Sequence, residues 1–220
     1  RFMPNPRDAV HTYCHCLPQM WHQMSVILSA ASSLSWLGAV TGKSAGELTL
    51  AAESVDPRDA PLFLPYLNGE RTPHNDPHAR GVFFDMSSAT GIAELAYGVM
   101  EGVAFAMADG HAALSKAGNR LTEASFVGGG SRSAFWARIC AAATGLTLHN
   151  HGDGEVGGAF GAARLARLAV TGQAISQVCV PPPITRSVEP DAALRELLLT
   201  RWERYQRLYA VLKPEFTREA

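Results

Sequence analysis

The sequence predicts an α/β domain, and its composition and one repeated pattern support that prediction. The chain has 220 residues, of which 47% are hydrophobic and 18% are charged, as expected for one globular domain with appendages. Twice, a strand-like run passes through glycines directly into a helical pattern, first in FVGGGSRSAFW at 126–136 and then from LTLHN at 146–150. Such units build α/β layers whose ligands lie beyond the carboxyl ends of the strands. We therefore expect both glycine turns to open on one crevice.

Charge, hydropathy and cysteine content argue against several classes of protein. The net charge is −1, from 19 Lys and Arg and 20 Asp and Glu, so no overall field favours nucleic acid or an anionic membrane. The apolar runs are interrupted and no charged-then-apolar leader opens the chain, so we expect a cytoplasmic protein without a membrane span. Four cysteines do not make a disulfide framework in so long a chain. A metal site at His11, Cys14, His15 and Cys16 is disfavoured, because neighbours along a strand point to opposite faces and no second pair with zinc-like spacing follows.

The N-terminal part predicts one strand and two helices. Residues 10–16 are strand-like, residues 21–40 carry apolar side chains at helical spacing, and Ser44 is the expected N-cap of a second helix. The chain does not begin with Met, and nothing precedes the first strand to pair with it. We therefore expect a portion of a longer protein.

The middle of the chain predicts an ordered polar loop followed by a long helix. Turn residues punctuate 61–84 before a strand at 82–84, and the polar groups between them fit either plain solvation or a functional loop. In the helix at 90–117, Gly98, Gly102 and Gly110 indicate close packing. Glu94 and Glu101 lie on one face of that helix, where a solvated or hydrogen-bonded edge is favoured over an acid/base pair.

The two glycine turns are compatible with several kinds of ligand. Glycines at 128–130 allow close backbone approach, and the unpaired N–H groups of the following helix suit a phosphate or another polar group, although a plain tight turn is the alternative. In the second turn Gly152, Gly154 and Gly157 match the dinucleotide pattern G-x-G-x-x-G. That pattern also needs an acidic residue about 20 positions later at a strand end, and none stands at 175–180.

The C-terminal part predicts a connector and one long helix. The prolines at 181–183 indicate a stiff link, and Pro190 opens a helix that is expected to close before Pro214. Its wide apolar face predicts packing back on the domain.

These motifs together resemble the C-terminal domain of the FGGY carbohydrate kinases, most closely the xylulokinases among them. The resemblance covers roughly residues 9–172 and rests on four motifs: FLPYLNGERTPHNDPHARGVFF, YGVMEGVAFAMADG, FVGGGSRSAFW and GEVGGAFGAARLA. GERTPH followed by ARGVFF is specific for xylulokinases, whereas GGGSRS marks the whole family and its actin-like relatives. Asp85 stands where the family usually has glycine, and Gly98 where a small Ala or Ser is usual.

The resemblance implies an actin-like ATPase (ribonuclease H-like) domain: a mixed sheet with helices on both faces, here without its first strands. Residues 1–180 would form the nucleotide-side domain, and residues 181–220 a connector and a helix packed on it. The activity implied is transfer of the ATP γ-phosphoryl group to a sugar hydroxyl with Mg²⁺, most closely xylulose to xylulose 5-phosphate. ATP and the pentulose would be bound jointly with an N-terminal domain that precedes this chain.

The resemblance also assigns roles to residues of this chain. Gly129 and Gly130 correspond to the adenosine turn, and Ser131, Arg132, Ser133 and Ala134 to the residues beside the base and ribose. Ala31 and Ser35 correspond to the helix positions that flank the nucleotide. Gly157 and Gly158 correspond to the start of the helix behind the adenosine pocket. Relatives often place a polar residue at the position of Ala134 and Gln at that of Ser35.

The same resemblance places the catalytic Asp, the phosphate-binding turns and most sugar contacts before this chain. We therefore assign no catalytic or metal-binding residue here, and we expect these residues alone to be inactive as a kinase. Two alternatives stay open: an NAD-binding oxidoreductase domain, and a non-catalytic actin-like module that binds nucleotide or a partner. The final helix also leaves a homodimer open.

Overall fold

A computed structural model describes residues 2–152 and 157–216. The helices are Ala31–Thr41 (α1), Ala45–Ala52 (α2), Ile92–Lys116 (α3), Ala134–Thr144 (α4), Gly157–Thr171 (α5), Ile175–Val178 (α6) and Ala192–Phe216 (α7). The strands are His11–Cys14 (β1), Trp21–Met24 (β2), Leu62–Leu64 (β3), Val82–Phe84 (β4), Glu123–Ser125 (β5), Thr147–His151 (β6) and Ile184–Val188 (β7).

The strands form two antiparallel pairs and one mixed sheet. β1 pairs with β2 and β3 pairs with β4, while the sheet has the order β5-β6-β7. In that sheet β5 and β6 run parallel and β7 runs antiparallel to β6. The prediction of an α/β fold with a mixed sheet is confirmed. In the described ranges, no helix has both the length and the apolar character that a membrane crossing needs.

Helix α1 ends and helix α2 begins at residues that are typical of helix ends. α1 ends at Gly42, which has a left-handed φ of 70°. The Ser44 hydroxyl accepts a hydrogen bond from the Glu47 N–H at 3.2 Å, and the Glu47 carboxylate accepts one from the Ser44 N–H at 2.8 Å. This reciprocal capping box confirms Ser44 as the N-cap of α2.

Helix α3 is the centre of the core and packs against α1, α2, α4 and β3. A Cβ at Gly98 would lie 2.6 Å from the Pro61 carbonyl oxygen, and one at Gly102 would overlap the Phe63 carbonyl oxygen. These distances are shorter than any van der Waals contact. Close packing at the helix glycines is therefore confirmed, because β3 and the chain before it lie directly against the α3 backbone.

The two glutamates of α3 make separate structural contacts. Glu94 accepts a hydrogen bond from the Gly91 N–H at 2.8 Å and caps the helix start. Glu101 is fully buried and accepts two hydrogen bonds from Arg201 of α7, at 2.8 Å from Nε and 2.7 Å from Nη2. Glu94 thus fits the predicted solvated or hydrogen-bonded edge, whereas Glu101 forms a buried ion pair that fastens α7 to α3.

Residues 21–24 differ from prediction, because they form strand β2 and not the start of a helix. β1 lies close enough in the chain to supply backbone partners, and the pairs run from His11 with Met24 to Cys14 with Trp21. The turn between the strands closes with a hydrogen bond from the His15 N–H to the Met20 carbonyl oxygen at 2.9 Å. The first strand therefore has a partner, which follows it in the chain and does not precede it.

The C-terminal part differs in two places. The connector predicted from 181 is followed by strand β7, which extends the mixed sheet. α7 does not end before Pro214 but continues to Phe216. A proline in the last turn removes a single helical hydrogen bond, so the helix can run past it. The predicted domain boundary at residue 180 stays a prediction.

Candidate functional site

The glycine turn after β5 is open on its outer side. The chain leaves β5, passes Gly128 with a φ of 90°, and forms a 3-10 turn at Gly129–Arg132 before α4. Among the described residues, nothing lies within 4 Å of the position a Cβ would take at Gly128 or Gly129. The positive φ explains the glycine at 128. Gly129 faces open space, so the turn backbone is accessible to a ligand.

The start of α4 is built by a side-chain cap. The Ser133 hydroxyl accepts a hydrogen bond from the Trp136 N–H at 3.0 Å. The Trp136 side chain is 4% exposed and its indole N–H donates to the Met100 carbonyl oxygen of α3 at 2.9 Å. The cap and the indole together fix the turn to the core helix.

A cleft of about 700 Å³ lies between this turn and helices α1 and α2. Its size is typical of a site for a small organic molecule. It brings together seven of the ten residues predicted to contact a nucleotide, from two distant segments of the chain: Ala31, Ser35, Gly129, Gly130, Arg132, Ser133 and Ala134.

The other predicted residues lie elsewhere. Ser131 lies on the far side of the turn, in a smaller pocket of about 290 Å³, and its hydroxyl donates to the Gly128 carbonyl oxygen at 2.7 Å. Gly157 and Gly158 begin α5 and are not among the residues that line the cleft. Gly154 of the dinucleotide pattern lies outside the described residues. An adenosine-binding role for Gly157 and Gly158 stays a prediction.

Sequence reasoning missed one wall of the cleft, which is helix α2. Gly46, Thr49, Leu50 and Glu53 follow the i, i+3, i+4, i+7 spacing of a single helix face and line the cleft. Leu50 does not share a face with the buried residues of α2. It is 70% exposed, whereas Leu48 is fully buried. Leu50 is thus an exposed apolar side chain in the lining of the cleft, and apolar groups line most ligand pockets.

The lining of the cleft suits ligand binding better than catalysis. Leu34, Leu50 and Trp136 supply apolar surface, and hydroxyls of serine and threonine supply polar contacts around it. Burial raises the pKa of Glu70 to about 7 and that of Asp109 to about 6, but neither carboxyl group lines the cleft. The cleft can therefore hold a flat, partly apolar ring with polar substituents.

The cleft residues do not fit a metal ion. Glu53 is the carboxylate among the described residues that line it, and a protein-bound Mg²⁺ prefers several oxygen ligands. Over 2–152 and 157–216, no three His, Cys, Asp or Glu side chains converge on a point where a metal ion could be held. We therefore assign Mg²⁺ ligation to none of the residues within these ranges.

Comparison with known proteins gives consistent matches over nearly the whole chain. The model of the FGGY family of carbohydrate kinases, C-terminal domain, matches residues 3–170. The xylulose kinase of Escherichia coli (strain K12) is 43% identical over 216 residues, which cover 97% of this chain and 45% of that protein. The xylulose kinase of Klebsiella pneumoniae is 41% identical over 97% of this chain and 44% of its own length.

Solved structures agree with this match. The crystal structure of a "xyloylose kinase" from Brucella ovis has a TM-score of 0.90 and 42% identity, over 97% of this chain and 44% of that one. A xylulose kinase from Rhodospirillum rubrum has a TM-score of 0.77 at 26% identity, over 97% of this chain and 44% of its own. The chain thus spans less than half the length of these relatives. It belongs to the FGGY family of carbohydrate kinases, matches their C-terminal domain and has their actin-like ATPase fold.

Proposed function

We propose that this chain supplies the adenosine-binding side of the cleft in a kinase that transfers the γ-phosphoryl group of ATP to xylulose. The cleft is the observation that carries the proposal. Seven residues expected to contact the nucleotide line one cavity, although Ala31 and Ser35 lie about 100 positions before the glycine turn.

The lining fits the parts of adenosine. The apolar lining, in which Leu50 is exposed and Leu34 and Trp136 are largely buried, suits the flat face of adenine. The hydroxyls of Ser35 and Ser133 suit the base edge or the ribose. Gly129 and Gly130 let the nucleotide approach the backbone without a Cβ in the way. Binding at several points fixes the orientation of ATP, and phosphoryl transfer depends mostly on positioning and on stabilisation of charge.

The chemical step is assigned to residues outside this chain. ATP with Mg²⁺ supplies the phosphoryl group, and a carboxylate in the other half of the cleft would accept the proton of the sugar hydroxyl. The relatives are more than twice as long as this chain, which leaves room for such a half. Xylulose is proposed as the acceptor because the relatives at 43% and 41% identity carry the name xylulose kinase.

The first test is a kinase assay on the longest polypeptide encoded with this sequence. We expect release of ADP from ATP with D-xylulose, at a rate about tenfold or more above that with D-ribulose or glycerol. ADP release that is equal with all three acceptors would contradict xylulose as the substrate. The 220-residue chain alone is expected to release no ADP above background, and clear release would contradict the assignment of chemistry to another domain.

The second test separates the kinase proposal from the dinucleotide alternative. The 220-residue chain is titrated with ATP and with NAD in the same calorimeter, with Mg²⁺ present in both series. ATP is expected to bind more tightly than NAD, because the cleft would also have to accommodate the nicotinamide nucleotide of NAD. A preference for NAD would favour the oxidoreductase alternative suggested by the glycines at 152–157.

A further inference from the structure

One side chain holds both ends of the glycine turn from the side opposite the cleft. The Asn150 amide of β6 donates to the Phe126 carbonyl oxygen at 3.2 Å and to the Ser131 carbonyl oxygen at 3.1 Å. The five peptide bonds between those carbonyls include the whole glycine run. Asn150 is 9% exposed, so these bonds are little weakened by competition with water.

Arg186 of β7 determines which way the Asn150 amide points. Its Nε and Nη2 donate to Asn150 Oδ1 at 3.2 and 3.0 Å, and Nη2 also donates to the Ser131 carbonyl oxygen at 2.9 Å. With Oδ1 engaged by two guanidinium donors, the amide NH₂ must face the turn. A guanidinium can make this fork and a lysine ammonium cannot, because only the guanidinium presents its donors in one plane.

Neither side chain lines the cleft. Asn150 and Arg186 both line the smaller pocket on the other side of the turn, together with Ser131. Gly129 and Gly130 line the cleft and belong to the turn whose two ends the pair holds, so the pair can act on a ligand of the cleft through the turn backbone.

We propose that Asn150 and Arg186 are positioning residues for the nucleotide, which hold the backbone at 126–131 in the shape that adenosine contacts. The inference rests on the proposed function, namely that the cleft binds adenosine. A turn of three glycines has more conformational freedom than any other three residues, and clamping it in advance lowers the entropy lost when a ligand binds.

Two variants test the clamp, and a neighbour serves as control. Asn150→Asp keeps the shape and the pairing with Arg186 but replaces both donors to the turn by a carboxylate. Arg186→Lys keeps the charge but loses the fork. Ser187→Ala removes a β7 hydroxyl that bonds His149 on the opposite face of the sheet, at 2.8 Å, and leaves the clamp intact.

The assay is calorimetric titration of ADP into the 220-residue chain. We expect binding to weaken by about tenfold in Asn150→Asp and by a few-fold in Arg186→Lys, with Ser187→Ala within about twofold of the wild type. Amide hydrogen exchange at 128–133 should accelerate in both clamp variants while that of α3 stays unchanged, which a general loss of fold would not produce. In a complete kinase, KM for ATP should rise with KM for the sugar unchanged.

The outcomes separate the two proposals. If the wild type binds ADP and both clamp variants bind it equally well, the positioning role is overturned and the proposed function stands. If the wild type does not bind ADP, the proposed function fails first and the inference falls with it. If Asn150→Asp does not fold, the ADP affinity and the amide hydrogen exchange of Arg186→Lys still decide whether the two side chains hold the turn in position. Values equal to those of the wild type would overturn the positioning role.

Discussion

Replacement of Arg201 by methionine should leave the Glu101 carboxyl group buried in the core without its partner. The pair is buried between α3 and α7, and the guanidinium donates twice to Glu101, at 2.8 and 2.7 Å, and once to the Ala60 carbonyl oxygen, at 3.0 Å. Removing one partner of a buried ion pair costs about 3–5 kcal/mol, because the other charge keeps its desolvation penalty. With a typical urea m-value of about 2 kcal/mol/M, the unfolding midpoint should fall by roughly 2 M.

The loss of stability caused by Arg201→Met should increase as the pH rises. Burial raises the pKa of Glu101, and Arg201 opposes that rise. Without Arg201 the folded protein would hold a proton on Glu101 that the unfolded chain has released, so stability is lost as the pH rises. The Arg201→Met variant should therefore be less destabilised at pH 5 than at pH 8.

Urea unfolding followed by circular dichroism measures the effect, with two controls. Arg204→Met breaks a surface pair with Asp85, in which the side chains are 41% and 65% exposed, and should cost less than about 1 kcal/mol. The double variant Glu101→Leu, Arg201→Met replaces both charges by apolar groups and should regain most of the lost stability. If Arg201→Met costs no more than Arg204→Met, the pair does not fasten α7 to the core and the reasoning is refuted.

Two further predictions concern stability. Burial raises the pKa of Glu70 from 4.5 to about 7, so the contribution of Glu70 to folding stability is full below pH 4.5 and is lost as the pH rises through 7. Between pH 5 and pH 8 the wild type should therefore lose roughly 3 kcal/mol of unfolding free energy relative to Glu70→Gln. Parallel pH profiles of the two proteins in urea titrations would contradict this. Gly98→Ala should destabilise the chain by several kcal/mol, because the alanine Cβ would lie 2.6 Å from the Pro61 carbonyl oxygen. Gly46→Ala, in an exposed part of α2, should instead stabilise the chain by about 0.5–1 kcal/mol. Thermal unfolding of the two alanine variants checks the opposite signs, and equal shifts would refute the packing argument.

Features decided by a few neighbouring residues could be predicted from the sequence. The Ser44 cap, the left-handed Gly42 and the glycine turn before α4 depend on local backbone geometry, so residue type and spacing suffice. Close packing at Gly98 could be predicted as well, since glycine within a helix lowers its stability and is usually explained by a close neighbour. The identity of that neighbour could not.

Features decided by which elements pair or pack together were missed. Trp21 and Met24 belong to a strand only because β1 pairs with them, and their apolar spacing fits a helix equally well. Arg186 lies in a stretch without a strong strand pattern and is recruited by β6 across 36 positions. The α2 wall of the cleft was overlooked for the same reason, because a helix surface becomes a wall only when another element lies opposite it.

The most direct test of the central claim, that the cleft binds adenosine, is an ADP titration of a variant in which the cleft is filled. Ala134→Trp places a large ring in the cleft from an exposed position at the start of α4, and Ala89→Trp adds the same ring at an exposed turn away from it. We predict that calorimetry detects ADP binding to the wild type and to Ala89→Trp, and none to Ala134→Trp, with similar unfolding temperatures for all three. ADP binding to Ala134→Trp at wild-type affinity would contradict the claim, since the nucleotide would then bind elsewhere on the chain.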